Sequence, residues 1–338
     1  MKISLKLLLM ASAVLLLMSG CAQKVKIKAL DPAEVGAMAS KKKIAISDFK
    51  NDKLGLSGKI ESQIAKHKLD KKRYFTILSR KDLNQIMAEQ KLQSSELLDE
   101  ATATKVGKLI GAQAVINGEI ASSSATSSQY KESREKCLKY TKDGCAQYKH
   151  YTVTCRTTQA QVSANINIVD VETGSIIYGD TINKELNSDS CKNGKTISKG
   201  QALNRLTTAI ASEFVYKLTP HYVYFKVTLL ENIELENVTD KQEKTFETSL
   251  AYIKAGRMDK AEKLLRGLLD ELDGRSYVVA YVYGVVNEAQ GKFEQAKKMY
   301  AMADDLAGKP VDEINIAITR IDRLIEKRNE AKQQMNAK

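Results

Sequence analysis

Five cysteines constrain the fold of this 338-residue chain more than any other feature of its sequence. Four of them lie between Cys137 and Cys191, and they follow an apolar leader at residues 1–20. Lys2 and Lys6 precede an uncharged stretch that is too short to span a bilayer, which is typical of a signal peptide. An even number of cysteines in an exported chain predicts disulfide bonds, here two bonds with three alternative pairings.

The register of a predicted hairpin favours one of these pairings. Apolar residues alternate in Gln161–Asp170 and again from Ile176, which predicts two strands joined at Thr173-Gly174. Continuing that pairing outward brings Cys155 and Cys191 opposite each other within one residue. We therefore expect a bond between these two cysteines near the open end of the hairpin.

The remaining two cysteines, Cys137 and Cys145, would then bond across the Lys142-Asp143-Gly144 turn. A zinc site is the alternative for four cysteines, but it would need a ligand spacing such as a CxxC pair, which the sequence lacks. We expect neither a metal ion nor a cofactor.

The leader ends at Met18-Ser19-Gly20-Cys21, which resembles the lipobox of bacterial lipoproteins. In that motif the cysteine is acylated and becomes the new N-terminus, so the resemblance implies a lipid anchor at Cys21. Residues 21–40 would form a linker. Ala22 and Gln23 follow in place of a second-position Asp, a pattern that implies delivery to the outer membrane, facing the periplasm. An ordinary secretory signal with an incidental cysteine is the alternative.

The chain is basic, and removal of the leader with its two lysines lowers the net charge from +12 to +10. In a cytosolic protein such an excess would indicate nucleic-acid binding. Export argues against that class, and the basic clusters contain no interleaved aromatic residues, so we expect no nucleic-acid partner. We interpret the lysines as solvated surface, with attraction to acidic envelope polymers or lipid headgroups as the alternative.

Strand and helix patterns alternate from residue 41 to 232 in the order β-α-β-α-α-β-β-β-α-β, which predicts one mixed α/β domain. Ser57 and Ser79 are predicted N-caps of the first two helices, and Gly111 is the predicted C-cap of the third. The strands outside the cysteine-bearing hairpins are predicted at Lys43–Phe49, Phe75–Leu78, Ala114–Ile120 and Tyr222–Leu230. The helices are predicted from Ser57, from Ser79, at Asp99–Ile110 and at Gln201–Leu218.

Four blocks of this domain resemble the CsgG/HfaB family of outer-membrane-associated lipoproteins. They read KKIAISDFKN, YFTILSRKDLNQIMAEQKLQ, ATATKVGKLIGAQAVINGEI and SANINIVDVETGSIIYGD, in that order behind the lipobox. The resemblance covers about residues 40–230 and implies a CsgG-like periplasmic fold that self-associates or docks. A more distant similarity links this core to LpoB-type lipoproteins, which activate penicillin-binding proteins.

CsgG itself is a secretion channel in which each subunit contributes two amphipathic hairpins, and these would occupy about residues 121–160 and 180–200 here. A strand in such a channel needs roughly 9–11 residues with one apolar face. Residues 121–131 read ASSSATSSQYK, which is polar on both faces, and residues 184–200 are polar as well. We therefore expect the periplasmic core without channel strands, with disulfide-bonded soluble hairpins in their place.

The C-terminal third repeats itself with an offset of 35 residues, which resembles tetratricopeptide repeats. In such repeats a glycine forms the turn and an alanine five residues later lets two helices pack closely. Here the matching residues are Gly256 with Gly291 and Ala261 with Ala296. The pattern predicts an all-α domain over residues 238–330.

The alignment of the repeats also determines the secondary structure predicted for Tyr277–Val286. Taken alone, this apolar run would be predicted to form a buried strand. The repeat makes it the first helix of the second pair. Helical arrays of this kind mostly bind peptides or proteins, so we expect envelope proteins to bind through this region, with a dimerising role as the alternative.

Motifs for catalysis are missing from the sequence. The Gly194-Lys195-Thr196 segment lacks the earlier glycine of a phosphate-binding loop, because Asp189 stands there. His67, His150 and His221 look isolated. Asp48 is the one candidate acid, and we expect its carboxylate to form a hydrogen bond to a loop at the end of its strand. We expect no enzymatic activity.

Together these features predict the α+β class, with a mixed α/β CsgG-like periplasmic domain at 41–232 followed by an all-α tetratricopeptide-like domain at 238–330. The predicted function is that of a lipid-anchored adaptor or assembly factor for an outer-membrane or cell-envelope complex. Two alternatives stay open: a subunit of a CsgG-type secretion channel, and an LpoB-like activator of a peptidoglycan synthase.

Overall fold

A computed structural model describes residues 23–337 apart from 93–95 and 98. The predicted signal peptide and Cys21 lie outside these described residues. No helix in the described part of the chain is both long and apolar enough to cross a membrane.

The chain has the predicted α+β class. Its strands are β1 (Lys24–Asp31), β2 (Lys43–Ile46), β3 (Lys68–Leu69), β4 (Lys72–Arg73), β5 (Thr76–Ile77), β6 (Ala114–Thr141), β7 (Gly144–Asp170), β8 (Ile176–Asp189) and β9 (His221–Thr228). Its helices are α1 (Leu56–Lys66), α2 (Arg80–Glu89), α3 (Glu100–Ile110), α4 (Ser190–Asn193), α5 (Lys199–Leu218), α6 (Asp240–Lys254), α7 (Met258–Glu271), α8 (Tyr277–Ala289), α9 (Phe293–Ala307) and α10 (Asp312–Asn336).

The described residues divide into two compact units. The helical unit comprises the residues up to Asp31 and Tyr222–Lys332. The α/β unit comprises Pro32–His221 and the residues from Gln333 onward.

The α/β unit is built on a five-stranded sheet of order β5-β2-β6-β7-β8. Strand β2 runs parallel to both of its neighbours, and the β6, β7 and β8 pairs are antiparallel. Successive side chains alternate between the two faces, so a strand with apolar residues at every position needs cover on both sides. Helices α1 and α5 cover one face over Ile44, Ile116 and Ile168, and α2 and α3 cover the other over Ala45 and Val115.

The helix ends of this unit follow the predictions except at α1. Ser79 caps α2 with its side chain, and Gly111 ends α3 at a φ of 70°. The predicted cap at Ser57 is wrong, because the Asp52 carboxylate accepts the Leu56 and Ser57 N–H groups at 2.7 and 2.9 Å. The Ser57 hydroxyl donates to the same carboxylate, so it supports the cap without forming it.

Strands β6 and β7 extend far beyond the predicted strand at Ala114–Ile120. Their ladder continues to the pair Thr141–Gly144 at the hairpin turn. Strand β8 accompanies β7 only as far as the pair Thr157–Asp189. Residues 129–156 therefore form a two-stranded hairpin beyond the three-stranded part of the sheet, and we call this hairpin the arm.

The helical unit contains two helix pairs, α6–α7 and α8–α9, with α10 packed after them. Gly256 and Gly291 both have a φ of 75° in the turns, and Ala261 and Ala296 are fully buried. Helix α7 begins at Met258 and α9 at Phe293, which is the 35-residue offset seen in the sequence. The Tyr277–Val286 run is helical, as the repeat predicts.

Two predicted boundaries are wrong, because a two-stranded sheet of β1 and β9 belongs to the helical unit. Residues 24–31, inside the predicted linker, alternate exposed lysines with buried Val25, Ile27 and Ala29. These buried side chains join the apolar core of the helices, together with Val227 of β9. The first segment of the α/β unit thus ends at His221 and not at residue 232, since β9 pairs with β1 and not with the five-stranded sheet.

The core of the helical unit contains one buried carboxylate. Glu288 of α8 is fully buried and accepts two hydrogen bonds from the Arg320 guanidinium of α10, at 2.8 and 2.9 Å. The Tyr300 hydroxyl of α9 donates to the same carboxylate. Burial and the adjacent Glu288 charge raise the pKa of Tyr300 well above its ordinary value, so this hydroxyl remains a donor. One carboxylate therefore joins three helices.

We predict that Glu288→Gln destabilises the helical unit by about 3–5 kcal/mol, because it leaves the Arg320 charge without its buried partner. Urea unfolding followed by circular dichroism measures the loss. The control is Asp322→Asn, which removes the exposed ion pair with Lys297 and should cost less than about 1 kcal/mol. Equal losses from the two variants would contradict a structural role for the buried carboxylate.

Candidate interaction site

The arm is held at its base by a disulfide bond between Cys155 and Cys191, whose Cα atoms lie 5.4 Å apart. This is the pair that the predicted register indicates. Cys155 is fully buried, and the Arg134 guanidinium of β6 donates to the Cys191 carbonyl at 3.1 Å. The bond therefore fixes one side of the arm to the short helix α4 that follows β8.

Asp189, the last residue of β8, reinforces this junction. Its carboxylate accepts the N–H groups of Cys191 and Lys192 and the hydroxyl of Tyr130, the last at 2.8 Å. Burial alone would raise the pKa of Asp189, but these hydrogen bonds lower it. Asp189 thus joins the end of β8 to α4, and it stands at the position where a phosphate-binding loop has its first glycine.

The second disulfide joins Cys137 to Cys145 next to the arm's turn, with Cα atoms 5.8 Å apart. Both pairs therefore have the connectivity favoured by the sequence. Glu132 lies close to Cys155 and Cys191, but both sulfurs are in the disulfide and neither is a free thiolate ligand.

Large side chains are concentrated and exposed at the tip of the arm. Tyr140 and Tyr148 are 78% and 54% exposed, and each lies opposite one cysteine of the Cys137–Cys145 bond. Leu138, in an irregular part of the ladder, is 54% exposed as well. Clustered exposed aromatic side chains are typical of protein-binding surfaces. This cluster was not predicted from the sequence, although the tyrosines flank the predicted Lys142-Asp143-Gly144 turn.

The tip is also basic. Residues 136–149, which we call the tip, contain four lysines and a single acid, Asp143. Lys136 and Lys149 lie directly opposite each other, and Lys139 and Lys142 lie closer to the turn. Like charges at directly opposite positions of a ladder are destabilising. An acidic partner would relieve that repulsion.

Polar residues occupy both faces of the arm, and the face of the adjoining sheet that carries Ser124 is polar as well. On one face Ser124, Thr126 and Ser128 lie opposite Gln161, Gln159 and Thr157. On the other, Ser133 and Glu135 lie opposite Thr152 and His150.

The repeat residues have a packing role. Ala261 and Ala296 are buried in the core, and Gly256 and Gly291 form turns. Helix α8, which would line a ligand groove in an array of this type, is buried on nearly all sides because β1 and β9 cover it. The Tyr281 hydroxyl donates to the Thr228 carbonyl at 2.7 Å across that contact.

Asp48, the candidate acid, is in an ion pair. The Arg80 guanidinium donates to the Asp48 carboxylate at 2.6 Å and also lies 2.8 Å from the Glu61 carboxylate. The predicted bond to a loop is therefore wrong, because the partner of Asp48 is a residue of α2.

Two of the histidines are not isolated, because His67 and His221 are close enough to interact. Burial and the His221 charge lower the pKa of His67.

Comparison with known proteins gives one clear match. The family described as curli production assembly/transport component CsgG matches residues 21–256. No curated protein matches significantly.

Three solved structures are similar to parts of the chain. Lipoprotein GNA1162 from Neisseria meningitidis is 12% identical (TM-score 0.30; 51% of this chain, 96% of that chain). The LpoB C-terminal domain from Salmonella enterica is 11% identical (TM-score 0.26; 45% and 95%). A PelC dodecamer from Paraburkholderia phytofirmans is 11% identical (TM-score 0.26; 58% and 97%). These likenesses are too weak to assign a function to this chain.

We predict that the two disulfides contribute unequally to stability. Cys155→Ser with Cys191→Ser opens a connection between residues 36 apart and should lower the free energy of unfolding by about 4 kcal/mol. Cys137→Ser with Cys145→Ser opens a separation of 8 residues and should cost about 2.5 kcal/mol. Urea unfolding of both double variants tests the order, and a larger loss from the tip pair would contradict it.

Proposed function

The chain belongs to the CsgG family, and from this premise we propose that it is a lipid-anchored periplasmic adaptor or assembly factor of an outer-membrane or cell-envelope complex. Cys21 carries the lipid, and the protein lies at the periplasmic side of the outer membrane. The signal-like leader, the lipobox and two disulfides, which form in oxidising compartments, support this location.

The observation that carries the adaptor role is the tip of the arm. It combines exposed Tyr140, Tyr148 and Leu138 with four lysines on a hairpin held by two disulfides. Rigid, exposed aromatic residues provide contact area at a low cost in conformational entropy. The partner is therefore an envelope protein with an acidic surface that binds the tip.

Helix α8 is buried, so it is not accessible to a partner that would bind in the groove of the helix pairs. The apolar residues of α8 pack against β1 and β9 and form the core of the helical unit. Only the outer faces of the helix pairs are then open to a partner. We propose that the arm, and not the groove, makes the main contact with the partner.

A secretion-channel subunit is the competing function within this family. It would need arm strands with one apolar face, whereas Ser, Thr, Gln and Lys occupy both faces of the hairpin. Steady conductance of the purified protein in planar bilayers would favour the channel over the adaptor.

The lipid anchor gives the first prediction of this proposal. Mass spectrometry of the mature protein should find Cys21 acylated at the N-terminus, and the protein should fractionate with the outer membrane. Cys21→Ala should move it to the soluble periplasmic fraction after a high-salt wash, while Cys137→Ala with Cys145→Ala should not. An unmodified Cys21 would exclude the anchor.

The arm gives a second prediction. A photo-crosslinking amino acid at Tyr140 or Tyr148 should yield one shared crosslinked envelope protein in intact cells, because both side chains lie at the tip. The matched control is Tyr216, which is 53% exposed and lies on α5, away from the arm in sequence and fold. Crosslinks only between copies of this chain, or equal crosslinking from Tyr216, would count against the adaptor role of the arm.

A further inference from the structure

The β1–β9 sheet presents a basic surface on the side opposite its buried face. Lys24, Lys26 and Lys28 are the exposed residues of β1, alternating with the side chains that enter the helical core. Tyr224 and Lys226 are the exposed residues of β9. We call this surface, formed by Lys24, Lys26, Lys28, Tyr222, Tyr224 and Lys226, the lysine face.

Lysines and tyrosines of the lysine face are stacked in register. The Lys26 ammonium lies 4.3 Å from the centre of the Tyr224 ring, and that of Lys28 lies 3.6 Å from the centre of the Tyr222 ring. The same register carried one pair further brings Lys24 beside Lys226, and like charges at opposite positions repel. None of the four lysines forms an ion pair with an acid among the described residues.

The lysine face begins immediately after the site of lipidation. Gln23 is held in the helical unit by three hydrogen bonds: its N–H donates to Glu231, its side chain to the Leu250 carbonyl, and its own carbonyl accepts the Leu229 N–H. Only two residue steps separate Gln23 from Cys21, so their Cα atoms are at most about 7 Å apart. A lipid on Cys21 would therefore hold the start of β1 within a few ångströms of the headgroups.

We propose that the lysine face binds the anionic headgroups of the membrane in which the lipid is inserted. The inference rests on the proposed anchor at Cys21. Lysines near an anionic surface attract it by about 1 kcal/mol each, and one lipid signal combined with a basic patch holds a protein more firmly than either alone. The tyrosines suit the same place, because their rings prefer the boundary between headgroups and acyl chains.

A membrane surface fits the lysine face better than an acidic protein does. The short connection to Cys21 places these residues at the headgroups whatever else the protein binds. The tip of the arm carries a similar number of lysines but no such connection to the lipid, so it provides a matched comparison.

The test measures binding of the full mature chain with Cys21→Ser, which lacks the lipid, to vesicles of phosphatidylglycerol and phosphatidylcholine. We expect cosedimentation with anionic vesicles, weaker binding at high salt and none to pure phosphatidylcholine. Lys24→Gln, Lys26→Gln and Lys28→Gln together should weaken the binding about 100-fold. These side chains are exposed, and an unchanged circular dichroism melt will show that the variant folds.

The control is Lys136→Gln, Lys139→Gln and Lys142→Gln, which removes the same charge from the arm. It is compared with the lysine-face variant in the acylated chain, where the lipid determines which surface meets the headgroups, and there it should change the salt-sensitive binding to anionic vesicles less than about threefold. An equal loss from both triple variants, no binding to anionic vesicles, or preferential binding to a soluble acidic polysaccharide over the vesicles would overturn the inference. Absence of acylation on Cys21 would instead refute the proposed anchor, and it leaves the outcome of the vesicle experiment with the Cys21→Ser chain unaffected.

Discussion

The pairing of β1 with β9 beneath α8 is the contact on which the helical unit depends. Helix α8 is apolar all round from Tyr277 to Val286, and such a helix is stable in water only when it is surrounded. Its neighbouring helices cover part of it, and Ile27 and Val227 of the two strands cover more. The first residues that the structure describes, Gln23 and β1, are thus a structural part of a unit whose other members follow some 200 residues later in sequence.

That contact also explains what could not be predicted from the sequence. The alternation of lysine with Val25, Ile27 and Ala29 fits a strand with one solvated face, but no local feature indicates a partner as distant as β9. By contrast, the turn at Gly291 and the buried Ala296 were predictable, because the same turn and the same close helix contact recur at a fixed offset in the sequence. The packing residues within the helix pairs could thus be predicted from the sequence, whereas the pairing of β1 with β9 over them could not.

The arm divides in the same way into a predictable and an unpredictable part. Alternation between Gln161 and Asp170 sets the register, and that register carried outward puts Cys155 next to Cys191. The strand beyond Ile120 has no apolar periodicity, since its side chains contact solvent on both faces, and its length was therefore not predictable. Backbone pairing and two disulfides maintain the ladder where side-chain burial contributes little.

The ordered β1 changes how a tethered protein of this kind would reach a partner. A linker of twenty residues would let a folded domain move freely relative to its lipid, but Gln23 is already fixed two residues after Cys21. Within the α/β unit, the arm has thirteen residues per strand at about 3.3 Å each, so it extends roughly 40 Å beyond the three-stranded part of the sheet. Because its strands are paired along their whole length, such a hairpin restricts the position of its tip relative to the five-stranded sheet far more than a flexible segment of equal length would.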